Sequence, residues 1–367
     1  MLHRPSFFVH YTLLSFSHDG PANRYGGATM VMSGRDRPTL ENVAQRAGVS
    51  RATASRVVNG STSVAPHIRD KVLNAVEALG YVPNQAARSL VTQRTDSIAL
   101  VASETASRVF SDDPFFSSII RGVSLELEAV DKQLVLMMVG PSGPSHDRVE
   151  RYATGGHVDG AIIFSMHGAD PLPERLSRAG VPVVCNGRLL IQSSVPYVDV
   201  DNDDAARTAV RHLLDTGRRR VATIAGPQDM SAGIDRLKGY RSAMQDSGRR
   251  SLVAVGDFTR QSGALAMSQL LGDDPELDAV FAASDAMAEG ALRALRQAGR
   301  RVPDDVAVVG FDDMDFARDT EPPLTTVRQP ITDLGRMAAR QVLKMAGGEQ
   351  IEPVLLLPTE LVKRESA

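Results

Sequence analysis

Thr39 to Asn59 read TLENVAQRAGVSRATASRVVN, and the spacing within this stretch dictates the N-terminal fold. Leu40, Val43, Ala44 and Ala47 recur at three- and four-residue intervals, so they share one face of a helix. Thr39 stands before them as an N-cap, and Gly48 ends the helix because a tight helix-to-helix turn favours a residue that tolerates positive φ. Ser50 then caps a second helix. Wound at about 100° per residue, that helix puts Arg51, Ala52, Ser55, Arg56 and Asn59 on one arc and Thr53, Ala54, Val57 and Val58 on the other. The wet arc holds two guanidiniums, a hydroxyl, an amide and a methyl, the groups that read base edges and phosphates in a DNA major groove. An ordinary amphipathic helix with a solvated arginine face fits the same spacing, so these two helices alone leave both readings open.

Working outward, Ile68, Val72, Val76 and Leu79 mark a third helix ended by Gly80, which completes a three-helix headpiece. Its start is weak: Pro66 suits a first helical turn, but Ala65 is a poor cap, a typical loss of ~1 kcal/mol. Asn84 to Leu90 (NQAARSL) is a further helix candidate, yet seven residues do not hold a helix in water without support. Upstream, residues 1–36 contain the apolar run SFFVHYTLLSF, interrupted by His10 and followed by no small-x-small cleavage site. They read as a disordered extension, or as codons ahead of a true start at Met30 or Met32, more readily than as a signal peptide.

From Ser97 onward apolar strands alternate with helices. SIALVAS, QLVLMMV, GAIIFS, PVVCN, RVATIAG, LVAVGDF, AVFAAS and VAVVGF are the strand candidates, with helices expected over Phe115–Val130, Asp203–Thr216, Asp235–Ser247 and Asp285–Ala298. Continuous apolar strands with helical crossovers mean parallel sheets covered on both faces. At 367 residues, 43% hydrophobic and 23% charged, the chain is long enough for two or three domains with substantial cores. Its single cysteine, Cys185, lies in the apolar run VPVVCNG and reads as a core residue, which excludes a disulfide framework and fits a reducing, cytoplasmic compartment.

Charge is unevenly distributed. Residues 35–95 carry nine Arg or Lys against four Asp or Glu, while residues 96–367 hold the acidic surplus that brings the whole chain to −3. A basic head on an acidic body suits a protein whose head alone touches a polyanion. Catalytic motifs are missing: there is no Gly-rich phosphate loop, no GxSxG and no His pair at i, i+4. His146, Glu150 and His157 are separated by the Gly155–Gly156 break, and the Asp312, Asp313, Asp315 cluster lacks a second set of oxygen ligands for a cation. We therefore expect no catalytic residue, cofactor or metal.

Four stretches decide between the two readings of the headpiece: VVNGSTSVAPHIRDKVLNAVEALGYVPN (Val57–Asn84), NQAARSLVTQRT (Asn84–Thr95), VVGFDDMDFA (Val308–Ala317) and PPLTTVRQP (Pro322–Pro330). Through them the chain resembles, from about Arg37 to Arg364, the lactose/galactose-repressor family of bacterial transcription regulators. The resemblance implies an extension (1–36), a helix-turn-helix headpiece (37–82), a hinge helix and linker (83–96) and a two-lobed, type I periplasmic-binding-protein-like effector body (97–367). It implies that Arg51, Ala52 and Arg56 read bases in a palindromic operator while Thr39, Ser50, Ser55, Asn59 and Asn84 meet phosphates. Hinge helices from two subunits, with Ala87 and Leu90, would pair in the minor groove, where Leu90 wedges into a base step and kinks the duplex. The family's usual serine cap and phosphate-touching hydroxyl are here Ala65 and Ile68, so those two contacts are not expected.

Ligands of open α/β sheets bind at the carboxyl ends of strands. Residues just past strands are Phe115, Phe116, Arg188, Arg236, Phe258, Asp285 and Asp312, and by resemblance these positions hold a small-molecule effector, a sugar or a purine. Structural roles compete at several: Asp285 as a helix cap, Arg236 as a surface ion-pair partner, Asp312 as part of a solvated turn. The expected whole is a cytoplasmic repressor of carbohydrate genes, a homodimer or dimer of dimers with no membrane partner. A periplasmic solute-binding protein shares the two-lobed body but needs an export signal and no basic DNA-reading head.

Overall fold

The computed structural model describes residues 38–61, 63–82, 94–140 and 143–367. Two compact units separate at Pro83. Asn84, Ala87 and Leu90, expected to belong to a hinge, and residues 1–36, expected to form an extension, lie outside the described residues.

In the first unit, helices α1 (Leu40–Ala47), α2 (Arg51–Val58) and α3 (Pro66–Leu79) follow the sequence periodicity. Thr39 and Asn42 form a reciprocal capping box at the start of α1, and Gly48 at φ 65° closes it in the left-handed region. Val43, Ala44, Ala54, Val57, Val72 and Ala75 make the buried core of the headpiece. Ala65 makes no side-chain cap to α3, as its missing hydroxyl requires.

The second unit contains two six-stranded sheets. The first, in the order β11-β5-β4-β3-β1-β2, comprises β1 (Ser97–Ala102), β2 (Gln133–Met138), β3 (Gly160–Phe164), β4 (Val183–Asn186), β5 (Tyr197–Val200) and β11 (Val354–Leu357), all parallel. The second, in the order β12-β10-β9-β8-β6-β7, comprises β6 (Val221–Ala225), β7 (Leu252–Val255), β8 (Ala279–Ala282), β9 (Ala307–Asp312), β10 (Thr325–Arg328) and β12 (Glu360–Val362). Among the described strands only β12 runs antiparallel, against β10. The chain passes from the first sheet to the second after β5, returns after β10 and crosses again between β11 and β12, so three connections join two lobes.

Strands β1, β3, β8 and β9 are buried along their whole length, which is why they read as unbroken apolar runs. Strands β5, β10, β11 and β12 were not legible in the sequence: YVDV and the edge strand VLLL show alternating exposure instead of full burial, TTVR holds two buried threonines, and β12 has three residues. Phe258, expected to end a strand, lies three residues past β7, at φ 66°. Cys185 is fully buried in β4, and burial pushes its thiol well above the usual range. No helix among the described residues is long and apolar enough to cross a membrane.

Candidate functional site

On the headpiece, the polar arc of α2 stands free of the core. Arg51, Ala52, Arg56 and Asn59 are exposed and Ser55 is half-buried, while Ala54 and Val57 face inward. Ser50 caps α2 by accepting from the Thr53 amide at 3.1 Å. Asn59 donates to the Ser55 hydroxyl at 3.3 Å, one turn back, which ties two polar groups of the arc together. Arg51 is held by Glu41, whose Oε1 lies 2.6 Å from its Nε. Such an array of exposed donors on a short helix, backed by a dry face, is suited to a groove of base edges.

In the body, the loops at the carboxyl ends of the strands face one another across a cleft of about 850 Å³, open solvent included. Phe115, Phe116, Arg236, Phe258 and Asp312 all line it, so the structure brings together five of the seven expected positions. Phe115 and Phe116 open helix α5 (Pro114–Glu128), capped by the Asp113 carboxylate, and their rings meet edge to face at 5.6 Å and 87°. Arg236, on helix α9 (Ser231–Asp246), is 5% exposed. Its Nε donates to Asn202 at 2.8 Å and one terminal nitrogen to the Ala283 carbonyl at 2.7 Å, while the guanidinium carbon sits 3.6 Å from the Phe311 ring centre. Burial lowers its basicity against the pull of Asp312, 3.6 Å away.

Asp312 ends β9 at φ 119°, a conformation L side chains rarely adopt. It accepts from the Gln329 amide at 2.6 Å, and burial pushes its carboxyl up to about 7, with Arg236 opposing. The solvated-turn alternative for the Asp312–Asp315 cluster gives way, because Asp312 is buried and the neighbouring Asp313 is taken by Arg328 and Arg364.

Two expected positions fall elsewhere. Asp285 opens helix α11 (Asp285–Gln297) but turns inward: fully buried, it accepts from the Thr326 hydroxyl at 2.5 Å and the Met314 amide at 2.8 Å, and it is not among the cleft-lining residues. Its approach to β9 needs Gly310, where an added Cβ would meet Asp285 Oδ1 at 2.3 Å. The preceding residue, Ser284, is the cap of α11 and lines the cleft instead. Arg188 also stays off the cleft wall, because Asp235 of the other lobe takes its Nε and one terminal nitrogen, the shorter contact at 2.8 Å.

Sequence reasoning missed Glu104, Asn186, Ser165 and Gln329, all cleft residues. Gln329 was visible within PPLTTVRQP as the first polar residue after β10, and Asn186 as the last of β4; the strand-end rule applied to every strand would have found both. Glu104 accepts from Ser165 and contacts His167 at 3.2 Å, and His167 meets Asp229 of the facing lobe at 2.9 Å. The hydrogen bond with Glu104, aided by Asp229, raises the imidazole to about 9 against its desolvation. Aromatic rings facing polar side chains that both donate and accept suit a hydroxyl-rich ring with an apolar face.

A helix-turn-helix unit and a two-lobed binding body in one chain define a ligand-responsive DNA-binding protein. Residues 39–84 match the family described as bacterial regulatory proteins, lacI family, and residues 210–367 match a periplasmic binding protein-like domain. The HTH-type transcriptional regulator CelR of Thermobifida fusca is 52% identical over 91% of this chain and 100% of its own, and catabolite control protein A of Priestia megaterium is 31% identical over 89% and 98%. Among solved structures, a complex of the regulator CelR with cellobiose superposes with a TM-score of 0.71 at 50% identity, covering 90% of this chain and 100% of that one. The lac repressor dimer bound to operator and the anti-inducer ONPF gives 0.80 at 29% identity, over 90% and 99%. The chain belongs to the LacI family: it is a DNA-binding transcriptional regulator and not an enzyme.

Proposed function

We propose that this regulator is a repressor that answers to cellobiose or a closely related glucose disaccharide, bound in the cleft between the lobes. The observation that carries the reading is the cleft itself. Phe115, Phe116 and Phe258 offer apolar surface to sugar ring faces, while Asp312, Arg236, Gln329, Asn186, Ser284 and Glu104 offer hydrogen bonds to hydroxyls. A relative at about half identity across nine-tenths of the chain is known in complex with cellobiose, which supports the same choice. A purine is the weaker reading, since the six polar side chains come from both lobes whereas a planar base presents its polar atoms along its edge only.

In this account two copies place two headpieces on a palindromic operator, because one unit of some forty residues buries too little surface for tight binding. Arg51, Ala52 and Arg56 read bases; Thr39, Ser50, Ser55 and Asn59 meet phosphates; Asn84, Ala87 and Leu90 belong to a hinge that pairs in the minor groove. The sugar stabilises one arrangement of the lobes and so changes the stability of the paired hinge on DNA. The protein works in the cytoplasm, where the operator is.

Calorimetric titration with cellobiose, lactose, maltose and glucose tests the ligand. Cellobiose should bind at least about tenfold more tightly than maltose, a difference of ~1.4 kcal/mol, and Asp312→Ala should abolish binding. Equal affinity for all four sugars, or for none, would sink the disaccharide reading and leave the family assignment standing.

A further inference from the structure

We infer that Glu41 is a specificity-determining residue, which buttresses Arg51 so that the outer fork of this guanidinium selects a guanine in each half of the operator. The inference rests on the headpiece being the DNA reader. Arg51 is the first residue of α2 and Glu41 the second of α1, and the turn through Gly48 brings them together. The carboxylate oxygen Oε1 lies 2.6 Å from Nε, an ion-pair contact on the inner side of the guanidinium. Among the described residues no hydrogen bond takes up the two terminal nitrogens, no second acidic side chain pairs with Arg51, and no carboxylate comparably holds Arg56.

The chemistry follows from which edge is taken. An arginine meets a base with two parallel N–H groups, either side-on through Nε and one terminal nitrogen or end-on through both terminal nitrogens. An anionic oxygen this close to Nε repels the base acceptor that the side-on mode would bring there. The remaining end-on fork needs two adjacent acceptors, and in the major groove only guanine offers them, through O6 and N7. Adenine sets a donor beside its acceptor, cytosine presents a donor, and thymine sets a methyl beside its single acceptor. Without the buttress, a long exposed side chain swings freely among base edges and phosphates, and its affinity is spread over sequences.

Proximity to DNA strengthens the pair. In water both side chains are well exposed, 71% for Arg51 and 61% for Glu41, and such a pair adds little to the fold. Beside the phosphates an unpaired carboxylate is repelled, and removal of water raises the attraction between the partners. Glu41 therefore acts on recognition with little bearing on folding, which makes the two effects separable. The competing arrangement has Arg51 released to a phosphate and Glu41 itself accepting from a cytosine amino group.

The test is selection of binding sites from a randomised duplex library by the full-length protein and its variants Glu41→Ala, Glu41→Gln, Arg51→Ala and the double alanine variant, read by sequencing. The wild type should enrich one guanine per half-site whose preference vanishes in Arg51→Ala. Glu41→Ala should relax guanine over adenine at that position about fivefold to tenfold, as expected for a bidentate contact losing its alignment, with the other positions unchanged and Glu41→Gln in between. The double variant should match Arg51→Ala, as required of two residues acting through one contact. An unchanged preference in Glu41→Ala, or a loss spread evenly over all positions, would overturn the inference. Survival of the preference in Arg51→Ala with its loss in Glu41→Ala would replace it by direct cytosine reading. Failure of the wild type to enrich any motif would overturn the headpiece as reader, and this inference with it.

Discussion

The headpiece gathers its exposed polar groups from one stretch, Thr39 to Asn59, whereas the cleft collects its lining from loops spread between Glu104 and Leu334. On the headpiece the polar groups are exposed and the core lies behind them; in the cleft Arg236 and Asp312 are themselves part of the buried structure, at 5% and 8% exposure. Recognition and stability are thus separable in the first surface and fused in the second. On the proposed function, a substitution in the polar arc of α2 should change what is bound, while one in the cleft should change both what is bound and whether the lobe holds together.

The largest consequence is expected at Arg236. Its removal leaves Asp312 and Asp285 buried beside one another without their cation, so Arg236→Ala should cost about 3–5 kcal/mol in chemical denaturation and abolish sugar binding. Arg56→Ala, by contrast, should weaken operator binding with a stability change inside about 0.5 kcal/mol. Comparable stability losses in the two variants would erase the contrast between the surfaces.

Asp285 sharpens the boundary of the cleft. Asp285→Ala orphans the Thr326 hydroxyl and the Met314 amide and should cost about 1–3 kcal/mol, while the sugar affinity of the folded protein stays within about threefold, well below the effect of losing a direct hydrogen bond to a hydroxyl. Ser284→Ala should lower sugar affinity and, because the hydroxyl caps α11, also cost ~1 kcal/mol of stability. A complete loss of binding in Asp285→Ala measured on folded protein would put the carboxylate back among the ligand contacts.

The pH dependence separates two groups on the cleft. The Asp312 carboxyl is raised from the ordinary range near 4 to about 7, so the folded state keeps a proton that the unfolded chain gives up. Its contribution is fully present below about pH 4 and is lost as pH rises through about 7. His167 is raised from about 6.5 to about 9, so the clasp it makes with Glu104 and Asp229 stabilises the fold at and below neutrality and is lost as pH rises through about 9. Urea denaturation from pH 4 to 10 should show two declines; Asp312→Asn removes the lower and His167→Gln the upper. Persistence of the upper decline in His167→Gln would assign it to another group. The smallest effect belongs to the headpiece: Ala65→Ser supplies the missing cap of α3 and should add ~1 kcal/mol, read as slower amide exchange in that helix.

The same contrast governed what the sequence could reveal. The headpiece was legible because period, cap and turn lie within consecutive residues, and Val43, Ala44, Ala54 and Val57 are buried as their spacing demands. The central strands were legible because full burial on both faces leaves an unbroken apolar run. In the cleft, strand ends located the right places but side-chain direction did not follow from position. Ser284 and Asp285 are adjacent, and only the geometry of the helix start places Ser284 on the cleft wall, its hydroxyl capping the helix, while the Asp285 carboxylate turns to Thr326. Arg188 sits past β4 as the rule requires, yet Asp235, 47 residues away in sequence, claims its guanidinium. Such a pairing depends on how the two lobes face each other, which no local pattern encodes.

Fluorescence anisotropy of labelled operator titrated with the full-length protein at increasing cellobiose tests most directly that the two surfaces are coupled. Coupling free energies of 1–3 kcal/mol correspond to shifts of about 5- to 150-fold, so operator affinity should change by at least about fivefold, with a midpoint at the cellobiose affinity of the cleft and no response in Asp312→Ala. Cellobiose binding measured on the same sample with operator affinity unchanged would contradict a sugar-gated DNA reader and separate the cleft from the control of DNA binding.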